Sequence, residues 1–165
     1  MKWVLISVGI IALLIVVVLI IGKLLPKKHT ATVEQKFTVE KSLLWNRIRN
    51  FDKHAEWRTS VSKTEVLNPT KWKEFNKRGE KITFEIIEEV PSERLVSKIV
   101  DDDLPFGGEW VFEITESGTQ TVLKITENGE VYNPIFRFIG YFFMDESATM
   151  KQYMSDLEKS FKPKT

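Results

Sequence analysis

Residues 3–22, WVLISVGIIALLIVVVLIIG, form an unbroken stretch of 20 residues without a charged side chain. As a helix it would rise roughly 30 Å, the thickness of a bilayer's hydrocarbon core. The roughly 136 residues that follow can bury about two thirds of their unfolded surface, enough for one good core. The run ends in Gly-Lys-Leu-Leu-Pro-Lys-Lys, without the small-residue cleavage step of a secretory signal peptide. It reads as an uncleaved, single-pass membrane anchor over residues 1–23. Lys2 and the amino terminus precede it, whereas Lys23, Lys27 and Lys28 follow it. The positive-inside tendency therefore places the folded part in the cytoplasm. The chain has no cysteine and no Asn-x-Ser/Thr acceptor, which suits that side.

A short linker over residues 24–29 leads into a domain over residues 30–162. From Thr30 onward there are 20 Lys/Arg and 23 Asp/Glu, a net charge of about −3. That is not the electrostatic footprint of a nucleic-acid binder. The seven residues after Gly22 span at most about 25 Å, so the domain is held close to the bilayer.

Polar and apolar residues alternate first around Val33 and Phe37, a strand over 32–38. Leu44, Trp45, Ile48 and Phe51 then fall at helical spacing, and a second short helix follows over 53–57. His54 on that helix is expected in solvent, and His29 in the linker, in solvent or among lipid headgroups. Six strands come next, over 62–68, 71–77, 80–90, 94–100, 109–115 and 120–131, with DDDLPFGG (101–108) as a solvated loop before the fifth of them. Asn133-Pro134 is an N-cap followed by proline at the first helical position. One long helix is expected from residue 134 to about 159, with Ile135, Phe138, Phe142, Thr149, Tyr153 and Leu157 as the stripe facing the sheet. Phe136, Tyr141 and Phe143 fall on its other faces, more rings than a cover helix needs.

Three segments, EKSLLWNRIRNFDKHAEW, GGEWVFEIT and ITENGEVYNPIFRF, together with this element order, resemble the START-like superfamily, also called SRPBCC or polyketide cyclase/dehydrase-like. The resemblance covers about residues 30–160. It implies an α+β helix-grip fold, a curved antiparallel seven-stranded sheet around the long C-terminal helix with a hydrophobic cavity between them. The candidate pocket residues are Trp57, Phe84, Ile86, Trp110, Phe112, Leu123, Ile125, Glu127, Phe138 and Phe142, with Phe106 as a gate hinged on Gly107 and Gly108. No catalytic, cofactor or metal signature occurs: there is no phosphate-binding glycine loop, nucleophile elbow or HExxH. Asp101–Asp103 lacks the ligand spacing of a calcium loop. The expected function is a membrane-tethered binding protein for a hydrophobic small molecule or lipid. Two alternatives stay open: a cyclase- or hydratase-type enzyme using Glu127, Arg58 or Asp145, and a membrane-localised protein-interaction module.

Overall fold

The computed structural model describes residues 1–162. Helix α1 (Lys2–Leu24) is a 23-residue apolar helix, long and apolar enough to cross a membrane, and it stands clear of the folded part over most of its length. Pro26 ends it. A proline forces the residue before it out of helical geometry, and Leu25 is accordingly extended at φ −67°, ψ 149°.

The remaining order is β1 (Lys28–Phe37), α2 (Lys41–Arg49), a 3-10 turn (Phe51–Lys53) running into α3 (His54–Trp57), then β2 (Lys63–Asn68), β3 (Lys71–Phe75), β4 (Lys81–Val90), β5 (Arg94–Ile99), β6 (Phe106–Ser117), β7 (Gln120–Val131), α4 (Pro134–Phe143) and α5 (Ala148–Ser160). All seven strands form one antiparallel sheet in the order β1-β7-β6-β5-β4-β3-β2. Only β1 is out of sequence order, and it pairs with the last strand. Irregularities after Ile86 in β4 and after Val66 in β2 insert an extra residue and help the sheet bend.

The concave face carries Phe112 and Ile114 of β6 and Leu123 and Ile125 of β7, and α5 lies across it. Met150, Tyr153, Met154 and Leu157 of α5 follow the spacing of one helical face and are all at most 4% exposed. Leu44, Trp45, Ile48 and Phe51 close the end of the core, as their spacing predicts. This is the α+β helix-grip architecture.

Three elements differ from the sequence reading. First, β1 begins at Lys28, because twelve-residue β7 offers a pairing template as far as Glu130. Only Leu25, Pro26 and Lys27 separate α1 from the sheet, and His29 lies in a strand rather than a linker. Second, β6 begins at Phe106, so Phe106, Gly107 and Gly108 pair with Val131, Glu130 and Gly129 and the loop ends at Pro105. Asp101 in that loop is not simply solvated, since its carboxylate accepts a hydrogen bond from Thr83 Oγ1 at 2.8 Å.

Third, the expected long helix is two. Met144 is extended, and Asp145 starts a new helix: its side chain accepts from Ser147 N at 2.9 Å and its carbonyl from Ala148 N at 3.0 Å. An Asp two residues before a Ser can turn the backbone in this way, which competes with helix continuation. Ile135, Phe138 and Phe142 therefore lie outside the core that the sheet forms with α5. The gripped helix is α5 alone.

Candidate functional site

The strands put two polar groupings on the inner side of the sheet. One lies at the end nearest α1, where β1 and β6 start and β7 ends. Trp110 and Glu127 are direct cross-strand partners, and Trp110 Nε1 donates to Glu127 Oε2 at 2.8 Å. The other oxygen of Glu127 is 3.3 Å from His29 Nε2 on β1. His29 folds over β7 at Gly129, where any Cβ would collide with the imidazole. Opposite Gly129, Gly108 has φ +126°, and a Cβ there would strike the Asn128 carbonyl. Paired glycines thus allow the backbone to pinch beside the Glu127 carboxylate.

Under this trio is a cavity of about 40 Å³ bordered by Phe84, Ser97, Ile99, Gly107, Trp110 and Glu127. Cavities that hold drug-sized ligands are roughly 300–1,000 Å³. As it stands, this cavity has room for very few atoms.

The second grouping is deeper, between α3 and β3. Arg58 Nη1 donates to both oxygens of Glu74, at 2.6 and 2.7 Å, and Trp72 Nε1 donates to Oε1 at 3.1 Å. His54 Nδ1 is 2.9 Å from the same Oε1, and His54 Nε2 donates to the Ile48 carbonyl at 2.9 Å. Burial pushes the Glu74 carboxyl toward its neutral form. The Arg58 charge and the hydrogen bonds from His54 and Trp72 together outweigh that push, and the group is held down at about 2. Burial also pushes the Tyr153 phenol on α5 well above its ordinary value. The Arg58 guanidinium lies 5.0 Å from the Tyr153 ring centre. Trp57 Nε1, Arg58 Nε and the Tyr153 hydroxyl are buried without a hydrogen-bond partner among the described residues.

The candidates read from sequence therefore divide. Phe112, Leu123 and Ile125 are core residues, and Trp57, Phe84, Ile86 and Trp110 pack against that core while partly exposed. Glu127 points inward beside the small cavity. Phe138 and Phe142 lie outside the core on α4, where they touch each other. Phe106 is the first residue of β6, partly exposed at the α1 end. The three ionisable groups considered for catalysis do not meet: Arg58 pairs with Glu74, Glu127 with His29, and Asp145 with Lys151. His54, expected in solvent, is 3% exposed. The signal for this cluster was in KWKEF, where Glu74 shares the inward phase of Trp72. A carboxylate in that phase reads as an outward residue until its partners are known.

No family model and no curated protein matches the chain. Solved structures do resemble it. A START superfamily protein from Mycobacterium smegmatis superposes with a TM-score of 0.64 at 14% identity, over 80% of this chain and 96% of that one. A truncated norcoclaurine synthase from Thalictrum flavum gives 0.66 at 12% identity, over 83% and 96%. At such identities the likeness shows the fold alone, and that fold is the START-like helix grip.

Proposed function

We propose that the chain is a membrane-tethered binding protein that takes up a hydrophobic small molecule or lipid between the sheet and α5. Carrying this reading is the position of the Glu127–Trp110–His29 trio. It lies inside the sheet end from which α1 departs, beside a small cavity on the strands' inner face. The three-residue connection holds that end next to the bilayer if α1 spans it. The trio supplies a carboxylate and an indole N–H that can orient one polar group, and the surrounding walls are aromatic and aliphatic. Because the cavity is only about 40 Å³, uptake requires the grip to widen.

Photolabelling tests this with the full chain in lipid vesicles containing a photoactivatable fatty acid. Peptides carrying Trp110 or Glu127 should be labelled, and the cavity-filling Ser97→Leu variant should lose that label while keeping its thermal midpoint. Label confined to α1 and α4 in both proteins would refute the reading. That result would favour the membrane-localised interaction module, for which the closed core is the supporting observation. The separation of Arg58, Glu127 and Asp145 supplies no acid–base pair from which to derive a reaction step.

A further inference from the structure

Helix α4 is the most apolar part of the chain after α1, yet the domain does not bury it. Over residues 134–144 it has no Asp, Glu or Lys, and its one charge is Arg137. Phe136 is 48% exposed, Phe142 53%, Phe143 77% and Met144 65%. A contiguous apolar surface of this kind needs a cover.

What α4 does contact is α1. Residues 1–17 of α1 and its start are exposed, whereas Val18, Leu19 and Ile21 are half-buried and Gly22 is buried, and α4 is the element packed beside them. Gly22 fits this crossing because it lacks a side chain: a Cβ there would run into the backbone of Pro134. Arg137 locks the crossing from within. Its guanidinium donates to the Leu25 carbonyl at the end of α1 (3.1 Å) and to the Tyr132 carbonyl at the end of β7 (3.0 Å). The only cation of α4 is thus buried, with both Nη atoms bonded to backbone carbonyls and Nε left without a partner among the described residues. The crossing also fixes depth. Val18 lies five residues before Lys23, or roughly 7 Å deeper along a helix that rises 1.5 Å per residue. A helix packed against residues 18–22 of a spanning helix shares that level of the bilayer. Lys23, Lys27 and Lys28 on one side and Asp145 and Glu146 on the other mark where charge resumes.

We propose that α4 is a second membrane-embedded element, lying beside the last turns of α1 with Phe136, Phe142, Phe143 and Met144 against lipid acyl chains. This rests on α1 spanning the bilayer, as the proposed function does. The occupant of the apolar face is the bilayer because that face continues the lipid-facing surface of α1. Two anchoring helices, unlike one, also set the domain's orientation on the membrane.

The natural chain has no cysteine, so single thiols report single sites. Phe136→Cys, Phe143→Cys, Val16→Cys in α1 and Thr119→Cys in the distant β6–β7 turn are each labelled with a polarity-sensitive nitrobenzoxadiazole dye. The full chain is placed in phosphatidylcholine vesicles with or without nitroxide-labelled acyl chains. The expected result is blue-shifted emission at positions 136 and 143, quenched most by a nitroxide high on the acyl chain, with position 119 water-like and unquenched. Water-like emission at 136 and 143 while position 16 is quenched would overturn the proposal and leave the span intact. An unquenched position 16 would overturn the span, and the proposal with it. Blue-shifted but unquenched α4 labels that become water-like on dilution into excess lipid would mean a second copy covers α4, and would also overturn it.

Discussion

The last two helices were legible as one but behave oppositely. Helix α5 alternates charged and apolar residues, and its Met150, Tyr153, Met154 and Leu157 vanish into the grip of the sheet. Helix α4 is far more apolar, yet its rings face outward. Apolarity sets how much a surface gains by leaving water. Which element is available to cover it is decided by the chain's geometry. For α5 that element is the sheet, whereas α4 meets the end of α1 along one side and keeps its rings outside.

The contrast should appear in a graded series of variants. The largest effect is expected beneath α5, at Glu74. Glu74→Gln leaves Arg58 and His54 without their carboxylate, and removal of one partner from a buried ion cluster costs about 3–5 kcal/mol. Urea denaturation of the chain in detergent should read that loss. Leu157→Ala, at a fully buried position of α5, should cost about 2–5 kcal/mol by the same measurement, through lost burial and the cavity left behind.

The Glu74 cluster also predicts a pH dependence with a definite sign. The carboxyl is lowered from 4.5 in the unfolded chain to about 2 in the folded one, so it stabilises the fold fully above pH 4.5. That contribution is lost as the pH falls from about 4.5 toward 2. The stability gap between wild type and Glu74→Gln should therefore be flat above this window and shrink within it. A gap unchanged at pH 3 would refute the assignment.

Smaller effects belong to α4. Gly22→Val should part α1 from α4, exposing Phe138 and Arg137 to labelling or exchange while the domain's own denaturation midpoint holds. Phe143→Ser should be smallest of all in detergent, within about 0.5 kcal/mol, as for most exposed sites. Its effect should emerge only in vesicles, as a loss of the blue shift of a polarity-sensitive dye at position 136. A Phe143→Ser protein that unfolds as easily as Leu157→Ala would show that α4 is part of the domain core after all.

Periodicity made most of the fold legible. Leu44, Trp45, Ile48 and Phe51 declared a helix face, and Phe112, Ile114, Leu123 and Ile125 declared the inner face of two strands, because regular elements repeat their exposure at fixed intervals. What periodicity could not see was the turn at Asp145, because residues 142 and 153 happen to fall in nearly the same helical phase. Nor could it see that His54 and Arg58, four residues apart at α3, are completed by Glu74 on β3.

By itself, the sequence determined that there is a long apolar helix at the front, that seven strands and two short helices make up most of the folded part, and which faces of the strands turn inward. Those features depend on residues close together along the chain. The partner of each surface was left to the tertiary structure, which gave α5 to the sheet, α4 to α1, and a buried carboxylate to an arginine and a histidine. Burial and charge compensation depend on residues brought together across the chain, and no local pattern carries that information.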